Sequence, residues 1–333
     1  MLTDKKISIV VPFHNEEENV PILYGEIVEV MKEVSPNYEM VFVDDKSTDN
    51  TVNVIKDIIE KDERVKLVKL RRNFGQTGAL AAGFDYATGE IIISMDGDLQ
   101  HDPSDIPNLL KYVLDGYDIA SGWRKNRIDP FLSRKLPSKI ANWIMAKFSG
   151  VELHDFGTTF KAYKSEVISN VRLYGELHRF IPALATLYGA EIIEVPIKNR
   201  KRKYGKSHYN IMRTFRVIFD LFTIRFLIKY ITRPLHFFGL PGLFCIFSGG
   251  GIGTFLLIKK IVTHGDIFAI HGPLLILAIL LILAGIQLFS IGLLGEMLTR
   301  TYFESSDKRI YTVHEIITRE KILKEKSSKK IEN

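Results

Sequence analysis

The sequence predicts an α/β protein in which a parallel, doubly wound sheet precedes amphipathic helices at a membrane surface and a hairpin of two transmembrane helices. Two observations support this prediction. From residue 7 to about 121, short β-rich runs alternate with helical segments, as in parallel sheets covered by helices. Residues 234–258 and 267–295 contain no Asp, Glu, Lys or Arg, and each stretch exceeds the roughly 20 apolar residues that cross a bilayer.

The alternating region divides into five strands and four helices. We predict strands at 7–12, 39–44, 65–70, 91–95 and 117–121, and helices near 16–34, 49–61, 75–87 and 105–114. Sheets of this class bind ligands outside the carboxyl ends of their strands. One cleft is therefore predicted to gather the polar residues that follow these strands, which are His14, Asn15, Glu16, Asp44, Asp45, Asp96, Asp98 and Arg124.

The second half of the chain carries weaker patterns. We predict a helix at 137–149, a turn at 155–159, a helix near 176–189 and a strand at 191–197. Residues 211–232 have the spacing of an amphipathic helix lying in the membrane interface, although an ordinary core helix has the same spacing. The Lys- and Glu-rich tail from about residue 319 is predicted to be disordered.

Charge is divided unevenly along the chain. Residues 1–121 hold 12 Lys and Arg against 23 Asp and Glu, whereas residues 122–333 hold 33 against 16. A basic half beside an apolar hairpin suits membrane lipids with anionic headgroups, or an anionic substrate held at the membrane. We expect no nucleic-acid partner, because no nucleic-acid-binding module accompanies the basic residues. The one cysteine, Cys245, excludes a disulfide framework and a cysteine-based zinc site.

The flanks of the apolar stretches predict orientation. Residues 198–233 carry 11 Lys and Arg, whereas the loop between the two stretches has only Lys259, Lys260 and Asp266 as charged residues. The positive-inside rule then places both ends of the hairpin in the cytoplasm. The predicted organisation is a cytoplasmic domain at 1–206, interfacial helices at 207–233, two transmembrane helices within 234–298 (about 234–258 and 270–297) and a cytoplasmic tail at 299–333.

The sharpest chemical signal is Asp96-Gly97-Asp98-Leu99-Gln100, directly after the fourth predicted strand. Two carboxylates one residue apart can hold a divalent cation and leave positions for phosphate oxygens, as Mg²⁺ is usually bound. Surface turns also contain Asp-x-Asp, so this motif alone leaves both interpretations open. Carboxylates at Asp44 and Asp45 favour a functional site, since this place suits ribose hydroxyls or a base edge.

Five motifs follow one another along the chain: residues 9–17 (IVVPFHNEE), 43–49 (VDDKSTD), 72–75 (RNFG), 95–101 (MDGDLQH) and 205–209 (GKSHY). In order and spacing they resemble family-2 glycosyltransferases, and within them the polyprenyl-phosphate group that includes dolichol-phosphate mannose synthase and bactoprenol glucosyltransferase. The second apolar stretch resembles the membrane anchor of the bactoprenol branch. The likeness extends from about residue 7 to 313.

The resemblance implies a Rossmann-like, GT-A type catalytic domain and an inverting, metal-dependent enzyme that moves a single sugar from a nucleotide-sugar to undecaprenyl or dolichyl phosphate. UDP-glucose is the first expectation, and a GDP-mannose-using enzyme is the alternative. A processive polysaccharide synthase fits less well, because its Gln-x-x-Arg-Trp motif and additional spans are missing. A non-enzymatic lipid-carrier scaffold would leave the metal and phosphate motifs unexplained. A homo-oligomer, specifically a tetramer, is also implied.

The resemblance further implies roles for particular residues. Asp155 is expected to orient groups or act electrostatically near the acceptor, with a purely structural turn as an equal alternative. His14 departs from the aromatic Tyr or Phe that is more usual in the family. The implied sets are Asp98, Asp155 and Arg202 for catalysis; Pro12, His14, Glu16, Asp45, Asp96 and Lys206 for the nucleotide-sugar; Arg124, Arg134 and Ser138 for the acceptor phosphate; and Asp96, Asp98 and Gln100 for Mg²⁺ or Mn²⁺.

Overall fold

The computed structural model describes residues 1–125, 151, 153–171, 173, 177–200, 234–263, 267–305 and 310–331. These residues form two compact units. The first unit combines the N-terminal part of the chain with the C-terminal segment from residue 309, and the second comprises the stretch from 225 to 308. The chain therefore leaves the first unit, forms the second and returns to the first.

An eight-stranded mixed sheet is the centre of the first unit. Its spatial order is β7-β5-β6-β4-β1-β2-β3-β8, and of these eight strands only β6 and β8 run antiparallel to their neighbours. The predicted α/β class is confirmed. The strands are β1 (Ile7–Phe13), β2 (Tyr38–Asp44), β3 (Val65–Leu70), β4 (Ile91–Ser94), β5 (Ile119–Trp123), β6 (Lys161–Lys164), β7 (Ile192–Pro196) and β8 (Val313–Ile317).

Helices alternate with the first five strands, as the sequence predicts. They are α1 (Asn19–Val34), α2 (Thr51–Lys61), α3 (Gly75–Tyr86) and α4 (Ile106–Leu114), the last preceded by a 3-10 turn at Pro103–Asp105. One face of α1 buries Val20, Leu23, Ile27 and Met31 at helical spacing. These side chains join β1 and β2 in one hydrophobic core, where burial of each contributes about 2 kcal/mol.

The sheet differs from the predicted all-parallel arrangement at β6. This strand lies between β4 and β5, with Lys161 opposite Ser94 on one side and Ser121 on the other. The pattern of hydrophobic residues does not predict β6, because it has only four residues, two of them lysines. As a consequence, β4 and β5 are not neighbours, and one strand separates the residues that follow them.

The segment between β6 and β7 also differs from the prediction. The single helix expected near 176–189 is divided into a 3-10 turn at Leu177–Phe180, a short helix and a second 3-10 turn at Thr186–Tyr188 that ends at Gly189 with φ of 78°. The short helices here are α5 (Ser165–Ile168) and α6 (Ile181–Ala185). The helices predicted at 137–149 and 207–233 lie outside the described residues.

The described C-terminal segment, residues 310–331, forms a strand and a helix, so the prediction of disorder from residue 319 is wrong. β8 pairs with β3 at the edge of the sheet, and α9 (Arg319–Ile331) follows it. Ile317 and Ile322 are buried in the main hydrophobic core. Lys321 forms an ion pair with Glu315 at 2.7 Å. Disorder is inferred from the average composition of a segment, and this average is dominated by Lys and Glu. The few buried apolar residues, Ile317 and Ile322, therefore do not change the prediction.

The second unit is a pair of apolar helices, α7 (Pro234–Thr263) and α8 (Ile267–Ser305), the latter kinked at His271. Within them, Phe238–Thr263 and Ile270–Gly295 are long and apolar enough to cross a membrane. Most side chains in these segments are exposed, which suits helices that face lipid.

Glycines bring α7 and α8 into close contact. A Cβ on Gly249 would lie 2.7 Å from the carbonyl oxygen of Ala278, and one on Gly285 would lie 2.6 Å from that of Gly242. These small residues therefore allow the two helices to approach closely. A Cβ on Gly250, by contrast, would have no atom within 4 Å.

Candidate active site

Three neighbouring parallel strands bring the predicted motifs to one edge of the sheet. β1 lies between β2 and β4. Pairing continues past the strand ends, because the Asp45 N–H donates to the Phe13 carbonyl (2.9 Å) and the Met95 N–H donates to the Val10 carbonyl (3.1 Å). The residues that follow these three strands are therefore neighbours in space, as the sequence predicts.

His14, directly after β1, is exposed but held by two contacts. Its Nδ1 lies 2.8 Å from the carbonyl oxygen of Asp45, so Nδ1 carries the hydrogen in this arrangement. The side-chain nitrogen of Asn73 lies 3.3 Å from Nε2, which then accepts. The two contacts orient the imidazole, and its exposed ring can stack against a base.

Asp45 connects β2 to the Arg72–Gly75 motif. It is buried, and its two carboxylate oxygens accept hydrogen bonds from the N–H groups of Phe74 (2.7 Å) and Gly75 (2.9 Å). Gly75 has φ of 77°, which favours glycine. Burial raises the pKa of Asp45, and the two N–H groups oppose this rise without cancelling it. Asp45 therefore fixes the loop that begins α3.

Glu16 connects the end of β1 to two helices. Its backbone N–H donates to the Thr51 hydroxyl at the start of α2 (2.9 Å). Its carboxylate accepts a hydrogen bond from the side chain of Asn19 at the start of α1. Glu16 is half-buried, as is Pro12 at the end of β1. Both residues lie at the predicted edge of the sheet.

The turn after β4 packs tightly against β1. A Cβ on Gly97 would lie 2.5 Å from a ring carbon of Phe13 and 3.0 Å from the Pro12 carbonyl oxygen, so this position requires glycine. Leu99 adopts a left-handed φ of 60°, which a non-glycine residue rarely does. The two aspartates are thus held on a sharply bent backbone beside Pro12.

Asp96 and Asp98 differ in exposure and in partners. Asp98 is buried, and its carboxylate accepts a hydrogen bond from the Gln100 N–H (3.1 Å). The Asp96 side chain is more exposed, and its Oδ1 accepts from the Gln76 side-chain amide (2.6 Å). The sequence analysis missed Gln76, which follows the Arg72–Gly75 motif by one residue. That adjacency is the only signal that could have indicated it.

His101 lies behind these carboxylates as a structural partner. It is buried, and its Nδ1 accepts a hydrogen bond from the Asp96 N–H (3.1 Å), so Nε2 carries the hydrogen. Burial is the largest influence and lowers the pKa of His101. A neutral, buried imidazole in this position supports the turn.

The oxygen atoms at this turn suit a hard divalent cation. Mg²⁺ is commonly bound through one or two carboxylates together with substrate phosphates and water. Within the part of the chain that the structure describes, no three His, Cys, Asp or Glu side chains are arranged to hold a metal ion. Asp96 and Asp98 supply the two carboxylates that a site of this kind uses.

Arg124, after β5, pairs with Asp155. Its guanidinium donates through Nε (2.7 Å) and one terminal nitrogen (3.0 Å) to the two oxygens of a buried carboxylate. Paired hydrogen bonds of this kind are among the stronger ones in proteins. The family resemblance implied different roles for the two residues, whereas the structure joins them in one ion pair.

Glu194 on β7 fixes the backbone of the turn that carries Asp155, and the sequence analysis missed it. One carboxylate oxygen accepts hydrogen bonds from the N–H groups of His154 and Asp155, both at 2.8 Å. The His154 ring in turn stacks on Trp123 with centroids 4.5 Å apart. The predicted strand at 191–197 contained Glu194, but only the register of β7 shows which turn it meets.

Lys161 on β6 is a buried cation that the sequence analysis also missed. Its ammonium group donates to the carbonyl oxygen of Thr158. Burial lowers the pKa of Lys161 to about 8, and the nearby charge of Asp155 opposes that shift. A positive charge therefore lies beneath the turn that holds Asp155.

The basic segment that follows β7 begins beside the motif at residues 95–101. The Arg200 N–H donates to the carbonyl oxygen of Gln100 (2.9 Å). Its guanidinium pairs with Asp102 and Glu26, both at 2.8 Å. The remaining predicted site residues lie outside the described residues, and they are Arg134, Ser138, Arg202 and Lys206.

Comparison with known proteins gives extensive similarity. The family described as Glycosyl transferase family 2 matches residues 8–172. Dodecaprenyl-phosphate galacturonate synthase of Rhizobium johnstonii is 39% identical in an alignment of 320 residues that covers 93% of each chain. Undecaprenyl-phosphate 4-deoxy-4-formamido-L-arabinose transferase of Photorhabdus laumondii is 32% identical over 314 residues, 94% of each chain. Coverage this high includes most of the apolar helices as well as the sheet.

Solved structures give similarity of fold. Glucosyl-3-phosphoglycerate synthase of Mycobacterium tuberculosis in complex with Mn²⁺ and UDP-glucose has a TM-score of 0.52 at 17% identity, covering 66% of this chain and 79% of that chain. Its complex with phosphoglyceric acid has a TM-score of 0.51 at 18% identity, covering 66% and 80%. The expected Rossmann-like fold of the sheet domain is confirmed.

Proposed function

The chain belongs to glycosyltransferase family 2, and we propose that it moves one sugar from a nucleotide-sugar to the phosphate of a polyprenyl carrier. One observation carries this proposal. The likeness to enzymes named for transfer to dodecaprenyl and undecaprenyl phosphate extends over more than nine-tenths of the chain. The strand-end carboxylates are consistent with it, since they lie at one edge of the sheet and suit a metal-bound diphosphate.

We propose that the donor is a UDP-sugar, and UDP-galacturonic acid is the first candidate to test. The relative with 39% identity is named for galacturonate, and the relative with 32% identity is named for 4-deoxy-4-formamido-L-arabinose. Glucose, the first expectation from the sequence, becomes the third candidate, and GDP-mannose the fourth. Discrimination among sugars rests on a few hydrogen bonds, so a direct screen is the way to identify the donor.

The proposed reaction is a single displacement. A phosphate oxygen of the carrier attacks the anomeric carbon, the bond from that carbon to the donor diphosphate breaks, and the anomeric configuration inverts. The carrier phosphate is already anionic at neutral pH, so the step requires no general base. Asp96 and Asp98, with Gln100, would hold Mg²⁺ or Mn²⁺ beside the diphosphate, where the ion would neutralise charge on the departing nucleotide.

The acceptor phosphate is proposed to bind on the Arg124 side of the cleft, with Arg134 and Ser138 as further ligands. The ion pair refines the proposal for Asp155. Since the carboxylate of Asp155 holds two N–H groups of Arg124, its proposed role is to orient that guanidinium, which has five N–H donors in all.

Arg202 and Lys206 are proposed to bind the donor diphosphate. The position of Arg200 supports this role, because its backbone is hydrogen-bonded to Gln100 in the metal motif. Arg202 follows two residues later, and two extended residues span at most about 7 Å. Cations there would stabilise the charge that develops on the leaving group.

We propose that both ends of the hairpin lie in the cytoplasm. Support comes from β8, which pairs with β3 in the same sheet that contains the N-terminal strands. If α7 and α8 both cross the bilayer, the segments before and after them must lie on one side. The basic residues in 198–233 favour the cytoplasmic side. A tetramer, implied by the resemblance, is proposed for the assembly.

The proposed function is tested by a donor screen with the purified protein in detergent. Undecaprenyl phosphate, Mg²⁺ and one radiolabelled UDP- or GDP-sugar at a time are incubated, and label in the organic phase is counted. We expect transfer from one UDP-sugar, with label lost when polyprenyl phosphate is omitted. Absence of lipid-linked label with every donor would contradict the proposal.

Orientation is tested by cysteine labelling in a Cys245→Ser background. A cysteine at position 264 should react with an impermeant reagent from outside the cell. A cysteine at position 306 should react only after permeabilisation. The reverse pattern would overturn the proposed topology.

A further inference from the structure

The C-terminal segment returns to the loop that leads into the Arg72–Gly75 motif. The Arg71 N–H donates to the carbonyl oxygen of Thr312 (3.0 Å), and the Arg71 Nε donates to that of Val313 (3.4 Å). Val313 is also the register partner of Leu70, the last residue of β3. The start of β8 therefore fixes the chain at the point where it leaves β3.

Tyr311 extends this contact to α3. Its ring is 5% exposed, and its hydroxyl donates to a carboxylate oxygen of Asp85 (2.7 Å) near the end of that helix. Residues 311–313 thus hold both the entrance to the loop and the far end of the helix that follows it. The hydroxyl–carboxylate bond is charge-assisted, which makes it stronger than a bond between neutral groups.

Residues 73–76, which end this loop and begin α3, are called the loop at 73–76. They contact the residues after three strands. Asn73 lies against the His14 ring, Phe74 and Gly75 donate to Asp45, and Gln76 donates to Asp96. Four consecutive residues therefore connect the ends of β1, β2 and β4. A shift of this loop would move the orienting groups of His14, Asp45 and Asp96 together.

We propose that residues 311–313 position the loop at 73–76 and so set the affinity of the donor site. The inference rests on the proposed function, in which these strand ends bind the nucleotide-sugar. Tyr311 follows Ser305, the last residue of α8, by six residues. The segment that completes the donor site is therefore the one that returns from the apolar hairpin, and Tyr311 is a positioning residue.

The same tail supplies a matched control. Arg319 donates through Nε to the carbonyl oxygen of Glu60 (3.1 Å) and pairs with Glu63 (3.6 Å). These contacts reach the end of α2 and the residues just beyond it, and they do not involve the loop at 73–76. If the tail acts only through general stability, removal of either contact should have the same effect on ligand binding.

The experiment compares Tyr311→Phe, Tyr311→Ala and Arg319→Ala in the full-length protein. Binding of UDP and of GDP is measured with Mg²⁺ present, and amide hydrogen exchange is followed at residues 73–76. We expect Tyr311→Ala to weaken nucleoside diphosphate binding about tenfold, and Tyr311→Phe about threefold, as the hydroxyl alone is lost. Arg319→Ala should bind as the wild type does. In transfer assays the KM for the donor should rise with little change in kcat.

The outcomes separate this inference from the proposed function. If the wild type binds neither nucleoside diphosphate, the proposed function fails and exchange alone decides the positioning role. Faster exchange at 73–76 in the Tyr311 variants, but not in Arg319→Ala, supports the inference. Unchanged exchange and binding in Tyr311→Ala, or equal weakening in all three variants, would overturn it. Should Tyr311→Ala fail to fold, Tyr311→Phe decides by the same criteria.

Discussion

Two regions of the sheet contribute residues to the site in different ways. The first region comprises β1, β2 and β4, and the second comprises β5, β6 and β7. In the first region the strands are adjacent and parallel, and this adjacency alone brings together the residues that follow each strand. In the second region, antiparallel β6 intervenes, and Arg124 meets Asp155 across 31 positions of sequence. Residues that follow adjacent parallel strands can be predicted from the sequence to lie close together. Residue pairs that form where the chain reverses direction, such as Arg124 and Asp155, are not predicted by any local pattern.

The two regions also differ in how charge is balanced. The hydrogen bonds described for Asp96 and Asp98 come from neutral amide groups, those of Gln76 and Gln100. The carboxylate of Asp155, by contrast, faces the guanidinium of Arg124, with the buried ammonium of Lys161 nearby. Carboxylate oxygens are the ligands that a hard divalent cation prefers, so the first region suits a metal ion. In the second region the carboxylate of Asp155 is paired with the guanidinium of Arg124.

The largest difference between the two regions is expected from Asp98→Asn, through its effect on sugar transfer. The change keeps side-chain volume but removes a hard anionic ligand, so transfer should fall by about a hundredfold or more. Chelation by EDTA should have the same effect on the wild type. Sugar transfer is measured beside a thermal unfolding scan.

Asp62→Asn is the matched control for Asp98→Asn. Asp62 is also a buried aspartate, but it pairs with Arg64 at the end of α2 (2.8 Å). Its replacement should lower the melting temperature and leave transfer intact. Full transfer by Asp98→Asn, or equal loss in both variants, would contradict the proposed metal-binding role of Asp98.

The next largest effect is expected on the free energy of unfolding, when the ion pair between Arg124 and Asp155 is broken. Either Arg124→Ala or Asp155→Ala leaves a largely buried charge without this partner, so each should lower the free energy of unfolding by about 3 kcal/mol. The double variant should lose less than the sum of the two, because neither charge is then left alone. Denaturation of all three variants in detergent measures this coupling. Strict additivity would show that the pair is energetically unimportant.

A smaller effect is expected from the pH dependence of Lys161. Its pKa is about 8 in the folded protein, below the usual 10.5, so the unfolded chain binds more protons between these values. Stability relative to Lys161→Met should therefore rise as pH increases from 8 to 10.5, by up to about 3 kcal/mol. Melting temperatures of the two proteins across this range provide the test. If the difference in melting temperature does not change with pH, the pKa of Lys161 is not lowered by burial.

The smallest effect is expected at Glu194. Glu194→Gln keeps an oxygen that can accept from the N–H groups of His154 and Asp155, and should change stability by less than about 1 kcal/mol. Glu194→Ala leaves both N–H groups without this acceptor and should cost about 2 kcal/mol. Thermal unfolding of the two variants distinguishes them. Equal losses would show that charge, rather than the position of the oxygen, is what matters.

The sequence predicts most of the first region and little of the second. The motifs at His14, Asp45 and Asp96 could be placed because each directly follows a strand with a strong apolar pattern. Lys161 and Glu194 could not, because their roles depend on the register of short strands. Register is set by tertiary packing rather than by local composition.

The tail illustrates the same limit. Its charged composition predicts disorder, yet a few buried residues and the free edge of β3 are enough to order it. An exposed strand edge favours addition of a further strand, and which segment pairs there is a property of the complete fold. Tyr311 could not be connected to Asp85 without that pairing.

We propose that the ends of β1, β2 and β4 form a metal-assisted nucleotide-sugar site. The most direct measurement is Mn²⁺ binding, followed by electron paramagnetic resonance, with UDP or GDP present. We predict stoichiometric, nucleotide-dependent binding of Mn²⁺ by the wild type and by Asp62→Asn, and loss of binding in Asp98→Asn. Equal Mn²⁺ binding by the wild type and Asp98→Asn would show that Asp98 is not a metal ligand.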